Sequence, residues 1–374
     1  MKTPLFRKEL PQIRTLVVKI GSRILTADGH INRVKRLVED MAKLHQAGVK
    51  VVLVSSGAIA HGMKSLGYKK RPKTIPLQQA LASIGQNRLM NMYQSIFEKY
   101  GIHIGQVLLT WDDLRSKKRY LNLRNTLFHL LACDAVPIVN ENDSVGVEEI
   151  QFGNNDTLGA QISLLVHADL FVNLTDVSGL YDKNPRTDKS ATHIPVVQSL
   201  SSGIQKLASD KKNDISVGGM STKLKSADMV TRAGTFALIG DGFNQRLLTV
   251  LKDESCATLF MPSEKKMSSR HRWIAFSGQS AGSVTVDDGA ARALQKRGKS
   301  LLAAGVVSVE GTFKTGDMVD ILNSSADVIA RGMVNFDTSE IEQIKGRKSS
   351  EIERMLGTIK FSEVIHRDNM VVME

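Results

Sequence analysis

Cysteine is nearly missing from this chain: only Cys133 and Cys256 occur in 374 residues. With no C-x-x-C pair and no matched His/Cys spacing, neither a disulfide framework nor a structural zinc site is expected. Proline is scarce too, at 8 residues, and 42% hydrophobic with 24% charged residues is the composition of a folded chain, not of a disordered or fibrous one. No apolar run approaches the ~18 residues of a membrane span, and the first residues carry charge but no stretch of signal-peptide length. A cytoplasmic protein that avoids membranes is the expectation. The nine histidines lack H-x-x-x-H spacing and an evident Ser or Cys partner, which argues against a His-ligated metal and against triad hydrolysis. No protein-ligated metal is expected.

What is present exceeds one typical core, so a large domain followed by a smaller one is expected. The net charge of +12 is unevenly spread: 16 Lys+Arg face 14 Asp+Glu from Lys265 onward, against 34 and 24 before it. Part of the excess clusters as Lys69-Lys70-Arg71 with Lys73, and as Lys117-Lys118-Arg119. Such clusters suit either a solvated loop face or attraction of an anionic substrate.

The chain alternates strand-like and helix-like stretches. "TLVVKI" (Thr15 to Ile20) and "VKVVLVS" (Val49 to Ser55) are β-branched apolar runs, each ended by a small polar turn. Between them Val34, Leu37, Val38, Met41 and Leu44 recur at helical spacing up to Gly48, which completes a βαβ unit. Further strands are predicted at Gly105 to Leu109, Val136 to Asn140, Leu170 to Thr175 and Thr235 to Gly240. Helices are predicted around Gln78 to Tyr100, Tyr120 to Ala132, Asp156 to His167 and Thr222 to Ala233. The fold class is therefore α/β, a mostly parallel sheet between helices. After Pro262 the text turns polar, and short strand-like pieces follow ("GSVTVDDGA", "GVVSVEG", "DMVDILN", "VIARGMVN"), which predicts a small β-rich domain. The expected division is 1–264 catalytic domain, 265–281 linker and 282–374 small domain.

Ligands of such sheets collect beyond the carboxyl ends of the strands. Ser55-Ser56-Gly57, Asn140-Glu141-Asn142-Asp143 and Thr175-Asp176 each follow a predicted strand end, so they should share one edge. Each has a bland alternative: a strand-to-helix turn, a loop cap, an Asx turn. Lys19 near the end of a buried strand is costly unless paired, and reads as a phosphate ligand or as a lysine snorkelling from the strand end. "SVGGMSTK" (Ser216 to Lys223) precedes a helix; the glycines allow close backbone approach to phosphate, while Ser221 or Thr222 could simply cap the helix. It is not a Walker A loop, and Gly298-Lys299-Ser300 fails the same test because Ala293 stands where the first glycine is required.

Taken in order, "VVKIGS", "SSGAIAHG", "INENDSV", "FGNNDTLGA", "NLTDVSGLYDKNPR" and "GGMSTKLKSAD" resemble the amino-acid kinase family over roughly residues 13 to 262. Within it they look like the branch that phosphorylates the side-chain carboxylate of L-glutamate with ATP, the first step of proline biosynthesis. The tail, with "VDDGAARALQKRGKSLLAAGV", resembles a PUA domain. The resemblance implies that Lys19 and Lys223 contact ATP phosphates, and that Thr175, Asp176 and the segment Val217, Gly218, Gly219, Met220, Ser221, Thr222 and Lys223 hold the nucleotide. It implies that Ser56, Asp143 and Asn155 bind glutamate, and that Asp156 holds the two lysines. ATP with Mg²⁺, homo-oligomers, feedback inhibition by proline and delivery of product to a glutamyl phosphate reductase are implied likewise. Val217 and Gln151 depart from the family pattern, which commonly has threonine and lysine there. Other carboxylate kinases of the family, or an RNA-binding role through the PUA-like tail, are the alternatives; the tail's near-balanced charge weighs against the second.

Overall fold

The computed structural model describes residues 6–146, 155–185, 187–200, 219–263, 267–276, 280–347, 351–352 and 362–373. The chain divides into two compact units, Met1–Leu114 with Lys118–Lys266, and Arg115–Lys117 with Met267–Glu374.

The first unit is built on β1 (Thr15–Ile20), β2 (Lys50–Val54), β3 (Ile104–Leu109), β4 (Val136–Glu141), β5 (Leu170–Thr175), the β6–β7 ribbon (Leu180–Tyr181 and His193–Ile194), β8 (Val196–Val197), β9 (Phe236–Asp241) and β10 (Ala257–Phe260). Eight of these form one sheet in the order β3-β4-β2-β1-β5-β9-β10-β8. All neighbours run parallel except β9 and β10. Central strands of a parallel sheet are covered on both faces and so read as continuous apolar runs. Leu16, Val17, Val18 and Ile20 of β1 fit this, each fully buried. The antiparallel β10 and the two-residue β8 were not anticipated, because strands so short leave no periodic signal in the sequence.

After β1 the chain crosses to β2 on one side, and after β5 it continues to β9 on the other. The connections that leave the carboxyl ends of β1 and β5 therefore run to opposite sides, a switch point of the kind beside which ligands of such sheets bind. The helix Ala58–Ser65, which follows the Ser55–Gly57 strand-to-helix turn, lies against Ile75–Phe97 in unusually close contact. A Cβ on Gly85 would stand 1.8 Å from the Ala58 carbonyl oxygen, and one on Gly62 would stand 1.9 Å from that of Leu81. Only glycine allows these backbones to meet, and the contact fixes the helix that leaves the Ser55–Gly57 turn.

The second unit holds β11 (Gly282–Val286), β12 (Val306–Gly311), β13 (Met318–Leu322), β14 (Val328–Met333) and β15 (Met370–Val372), in the order β12-β11-β13-β14-β15. Its core gathers Val284, Val286, Val319, Ile321, Ala330 and Ile341. Helix Thr338–Ile344 opens with a capping box in which the Asp337 side chain accepts from the Glu340 amide and Glu340 answers to the Asp337 amide. Gly298, with φ of 54°, ends the helix Asp288–Arg297, so the Gly-Lys-Ser run is a helix terminus. Within the 265–281 stretch, Ser269–Phe276 is helical, and Ile274 is buried with Met318 and Val371.

Candidate active site

Lys19 reaches the carboxyl end of β1 with its side chain enclosed, and Nζ lies 2.5 Å from Oδ1 of Asp156. It does not snorkel. Asp156 stands in the first turn of helix Asn155–Leu165, which crosses β1 closely at Gly159. A Cβ there would sit 3.2 Å from Cβ of Lys19 and 2.8 Å from the Phe171 ring. The second oxygen of Asp156 is held by Lys223 Nζ at 3.2 Å and by the Thr222 hydroxyl at 2.7 Å. Asn173, paired with Lys19 in the β1–β5 register, donates to Oδ1 at 3.0 Å.

One carboxylate thus gathers two ammonium groups and two neutral donors. Burial by itself would raise the pKa of Asp156, but the charges of Lys19 and Lys223 and the donated hydrogen bonds overcome it and hold the carboxyl well below its usual range. Burial lowers the pKa of Lys223; Asp156 works against this and the charge of Lys19 works with it. The net charge of the trio is positive, as an anion site requires.

Lys223 is carried by the helix Met220–Arg232, whose N-cap is Gly219 with no side-chain cap. Ser221 and Thr222 lie inside the first turn, so the capping role allowed for them does not hold. The single hydroxyl proton of Thr222 instead has two acceptors in reach, Asp156 Oδ2 at 2.7 Å and the Gly219 carbonyl at 2.8 Å. An uncapped first turn presents its amides to solvent-side anions. Val217 and Gly218, and Gln151, lie outside the described residues. At the end of β5, Thr175 donates to Oδ1 of Asp176 at 3.2 Å, while Arg23 forms an ion pair with Oδ2.

The Ser55–Gly57 turn lies on the other side of Asn155. Gly57 adopts φ of 83°, which lets the chain turn from β2 into helix Ala58–Ser65. Ser56 Oγ donates to the Ile20 carbonyl at 3.1 Å, and Ser55 Oγ lies 2.9 Å from the Tyr93 hydroxyl. Asn155 Nδ2 faces three acceptors: Ser55 O at 2.9 Å, Ser56 Oγ at 3.1 Å and Asn140 Oδ1 at 3.3 Å. Its own Oδ1 is buried and, among the described residues, accepts nothing. The same holds for Oδ1 of Asp143. Burial lifts the Asp143 carboxyl to about 6, against an opposing pull from the Arg71 guanidinium. The Lys69–Lys73 loop is largely exposed, and the charge of Arg71 bears on Asp143.

Two buried acceptors without donors suit an ammonium group, and two lysines on one aspartate suit phosphate oxygens. Residues 14–241 match the description "Amino acid kinase family". The chain belongs to the amino acid kinase family. Residues 282–356 match the PUA domain. Among its relatives, a glutamate 5-kinase of Moorella thermoacetica is 44% identical over 371 residues, covering 98% of each chain. A glutamate 5-kinase of Geobacter sp. (strain M21) is 43% identical over 372 residues, 98% of this chain and 100% of the other. A carbamate kinase from Giardia lamblia, solved bound to AMP-PNP, aligns with a TM-score of 0.48 at 16% identity, covering 67% of this chain and 99% of that one.

In this amino acid kinase the structure brings Lys19, Asp156, Thr222 and Lys223 together, and beside them Ser56 with Asn155. Sequence reasoning placed Asn140 at the shared edge without a partner, and did not single out Asn173, Gln86, Tyr93 or Arg23. Asn173 could have been found, since a polar residue inside the apolar run Leu170–Thr175 needs a buried partner. Gln86 carried no such signal, because a glutamine is unremarkable on any helix.

Proposed function

We propose that this protein transfers the γ-phosphoryl group of ATP to the side-chain carboxylate of L-glutamate, giving L-glutamyl 5-phosphate for proline biosynthesis. The observation that carries the reading is the Lys19–Asp156–Lys223 cluster with the partnerless Oδ1 of Asn155, the residue next to Asp156; the partnerless Oδ1 of Asp143 supports it. The long similarity to glutamate 5-kinases supports the choice of substrate.

The chemistry follows from charge. A glutamate side chain, with an ordinary pKa of about 4.3, is already ionised at neutral pH, so its oxygen attacks phosphorus without a general base. What opposes reaction is repulsion between that anion and the triphosphate, and what a protein can supply is positioning and positive charge. Lys19 and Lys223 take the phosphoryl oxygens, and Asp156 keeps both ammonium groups aimed from below. Thr175, Asp176 and the first turn from Gly219 to Lys223 hold the nucleotide, with Val217 and Gly218 assigned the same role. Ser56, Asp143 and Asn155 hold glutamate, the last two accepting from its α-ammonium.

Mg²⁺ fits as a companion of the nucleotide. Among the described residues no three His, Cys, Asp or Glu side chains converge on a metal position, so it would enter on phosphate oxygens and water. There it would neutralise triphosphate charge. Its loss should abolish turnover while nucleotide-free protein keeps its melting temperature.

We also assign the cytoplasm, homo-oligomers, proline as feedback inhibitor and a glutamyl phosphate reductase as recipient of the acyl phosphate. Among the described residues no helix is long and apolar enough to cross a membrane. Of the domain division 1–264, 265–281 and 282–374, the family matches at 14–241 and 282–356 support the two outer parts, while helix Ser269–Phe276 of the middle stretch packs with the second unit. RNA contact by the PUA domain is the rival reading, which the tail's charge balance disfavours. The deciding experiment is an ADP-release assay with L-glutamate, L-aspartate, N-acetylglutamate and UMP. Turnover dependent on glutamate is expected; turnover with another acceptor and none with glutamate overturns the proposal.

A further inference from the structure

We infer that Gln86 is a positioning residue that fixes the acceptor with which the site recognises a free α-ammonium group, through an ordered chain of three side-chain amides, Gln86–Asn140–Asn155. The inference rests on the glutamate-binding reading of Asn155.

The direction of each amide is set by backbone groups that have only one possible role. Asn140 Oδ1 receives the backbone N–H of Glu141 at 3.0 Å, and an N–H can only donate. Oδ1 is therefore the acceptor end of Asn140, and Nδ2 must be the end that meets Gln86 Oε1 at 2.9 Å. Asn155 is pinned in the same manner, since Nδ2 lies 2.9 Å from the Ser55 carbonyl, which can only accept. That same nitrogen meets Asn140 Oδ1 at 3.3 Å. Ser56 Oγ at 3.1 Å completes the set, its own proton going to Ile20 O. Two amide hydrogens thus find three acceptors, and flipping Asn155 would turn a carbonyl oxygen onto three oxygens.

The consequence falls on the other end of Asn155. Its Oδ1 is left as a buried acceptor with no donor among the described residues, and a buried acceptor is costly until a donor arrives. An ammonium group carries three donors and suits it, together with Oδ1 of Asp143. An acylated nitrogen offers one donor, and a substrate lacking nitrogen offers none. The chain of amides is therefore a device for choosing free amino acids, because a site built to be hydrogen-bonded rejects analogues that leave it unpaired. Gln86 is the remote end of the chain and reaches the ligand only through Asn140. Removing its oxygen frees Asn140 Nδ2 to seek another acceptor, and the competition falls on the Asn140–Asn155 bond.

The test uses the full-length enzyme carrying Gln86→Leu and, as the conservative control, Gln86→Glu, which keeps an acceptor at the same place. L-Glutamate is the substrate, and glutarate, its counterpart without the amino group, is the competitive inhibitor. Expected for Gln86→Leu is a roughly tenfold rise in KM for glutamate, with kcat, KM for ATP and the inhibition constant of glutarate within twofold of wild type. Gln86→Glu should recover most of the glutamate affinity. An unchanged KM for glutamate overturns the inference, and so does a parallel rise in KM and in the glutarate constant, which is the mark of general damage to the pocket. If glutarate competes with neither form, the split between KM for glutamate and KM for ATP decides. Failure of wild-type protein to phosphorylate glutamate would instead remove the functional reading beneath.

Discussion

Nζ of Lys19 lies 2.5 Å from Oδ1 of Asp156, and the side chains keep 7% and 2% of their exposure, although 137 residues separate them. A pair so enclosed must be neutralised within the fold, and Asp156 is shared with a second ammonium on Lys223. Asp156→Ala leaves two cations facing each other with no anion between them. Removing one partner of a buried ion pair costs about 3–5 kcal/mol, which corresponds to a melting temperature lower by on the order of 10 °C. ATP should recover part of that loss, because its phosphates bring the missing negative charge. Differential scanning fluorimetry with and without nucleotide checks both statements, and a variant melting at the wild-type temperature would remove Asp156 from the role of counter-ion.

Lys223 differs from Asp156 in standing on the uncapped first turn of its helix, where charge and backbone amides face the same ligand. Lys223→Ala should lower kcat by at least two orders of magnitude, since one preorganised charge contributes about 3 kcal/mol or more to a developing anion. KM for glutamate should change little, because Asp143 and Asn155 are untouched. Initial-rate kinetics separate the two constants, and near-normal turnover would exclude this lysine from the phosphoryl-transfer step.

Asp143 and Asp156 answer to acid at opposite ends of the carboxylate range. Asp143, lifted to about 6 by burial, must lose its proton to receive an ammonium, so glutamate binding should strengthen as pH rises through 6 and weaken below it. KM should climb about tenfold per pH unit below that point. Asp156, held low by its lysines, contributes stability that is present above the ordinary carboxylate range and lost only as pH falls through its much lower folded value. At pH 5 the lysine cluster is therefore intact, and kcat at saturating glutamate should persist while KM rises. In Asp143→Asn the KM should be high and flat with pH. A wild-type KM that does not move between pH 7 and 5 would count against Asp143 as the ammonium receptor.

The parallel strands were legible because a strand buried on both faces is apolar along most of its length, and β1, β2 and β5 are so apart from positions such as Lys19 and Asn173. Lys19 was legible for the complementary reason: a charge inside such a run needs a purpose. The partnership of Lys19, Asp156 and Lys223 was suggested by family likeness alone, since no local pattern links residues so far apart in the chain. Gln86 and Asn140 were illegible as a pair, because their relation depends on how helix Ile75–Phe97 lies over β4. That placement is set by the meeting of Gly62 and Gly85, and a glycine that serves close packing looks in sequence like one that serves a turn.

Two glycine substitutions should therefore separate the two halves of the site. Gly85→Ala would push a methyl against the Ala58 carbonyl, at 1.8 Å if nothing moved, so helices Ala58–Ser65 and Ile75–Phe97 must part. Overpacking of this kind costs about 1–3 kcal/mol, and more where backbone is the obstacle. The moving helix carries Gln86 and Tyr93, which brace Asn140 and Ser55, so KM for glutamate should rise several-fold with KM for ATP nearly kept. Gly159→Ala acts on the other half: its methyl would meet the Phe171 ring at 2.8 Å and crowd Cβ of Lys19 at 3.2 Å. There the expected loss is chiefly in kcat, because Lys19 and the Asp156 that aims it are both displaced; Asn155 rides on the same helix, so a smaller rise in KM for glutamate accompanies it. Steady-state kinetics on both variants, compared at temperatures where each is folded by circular dichroism, distinguish the outcomes. If both substitutions lowered kcat and raised KM for glutamate in the same proportion, the two halves of the site could not be moved independently.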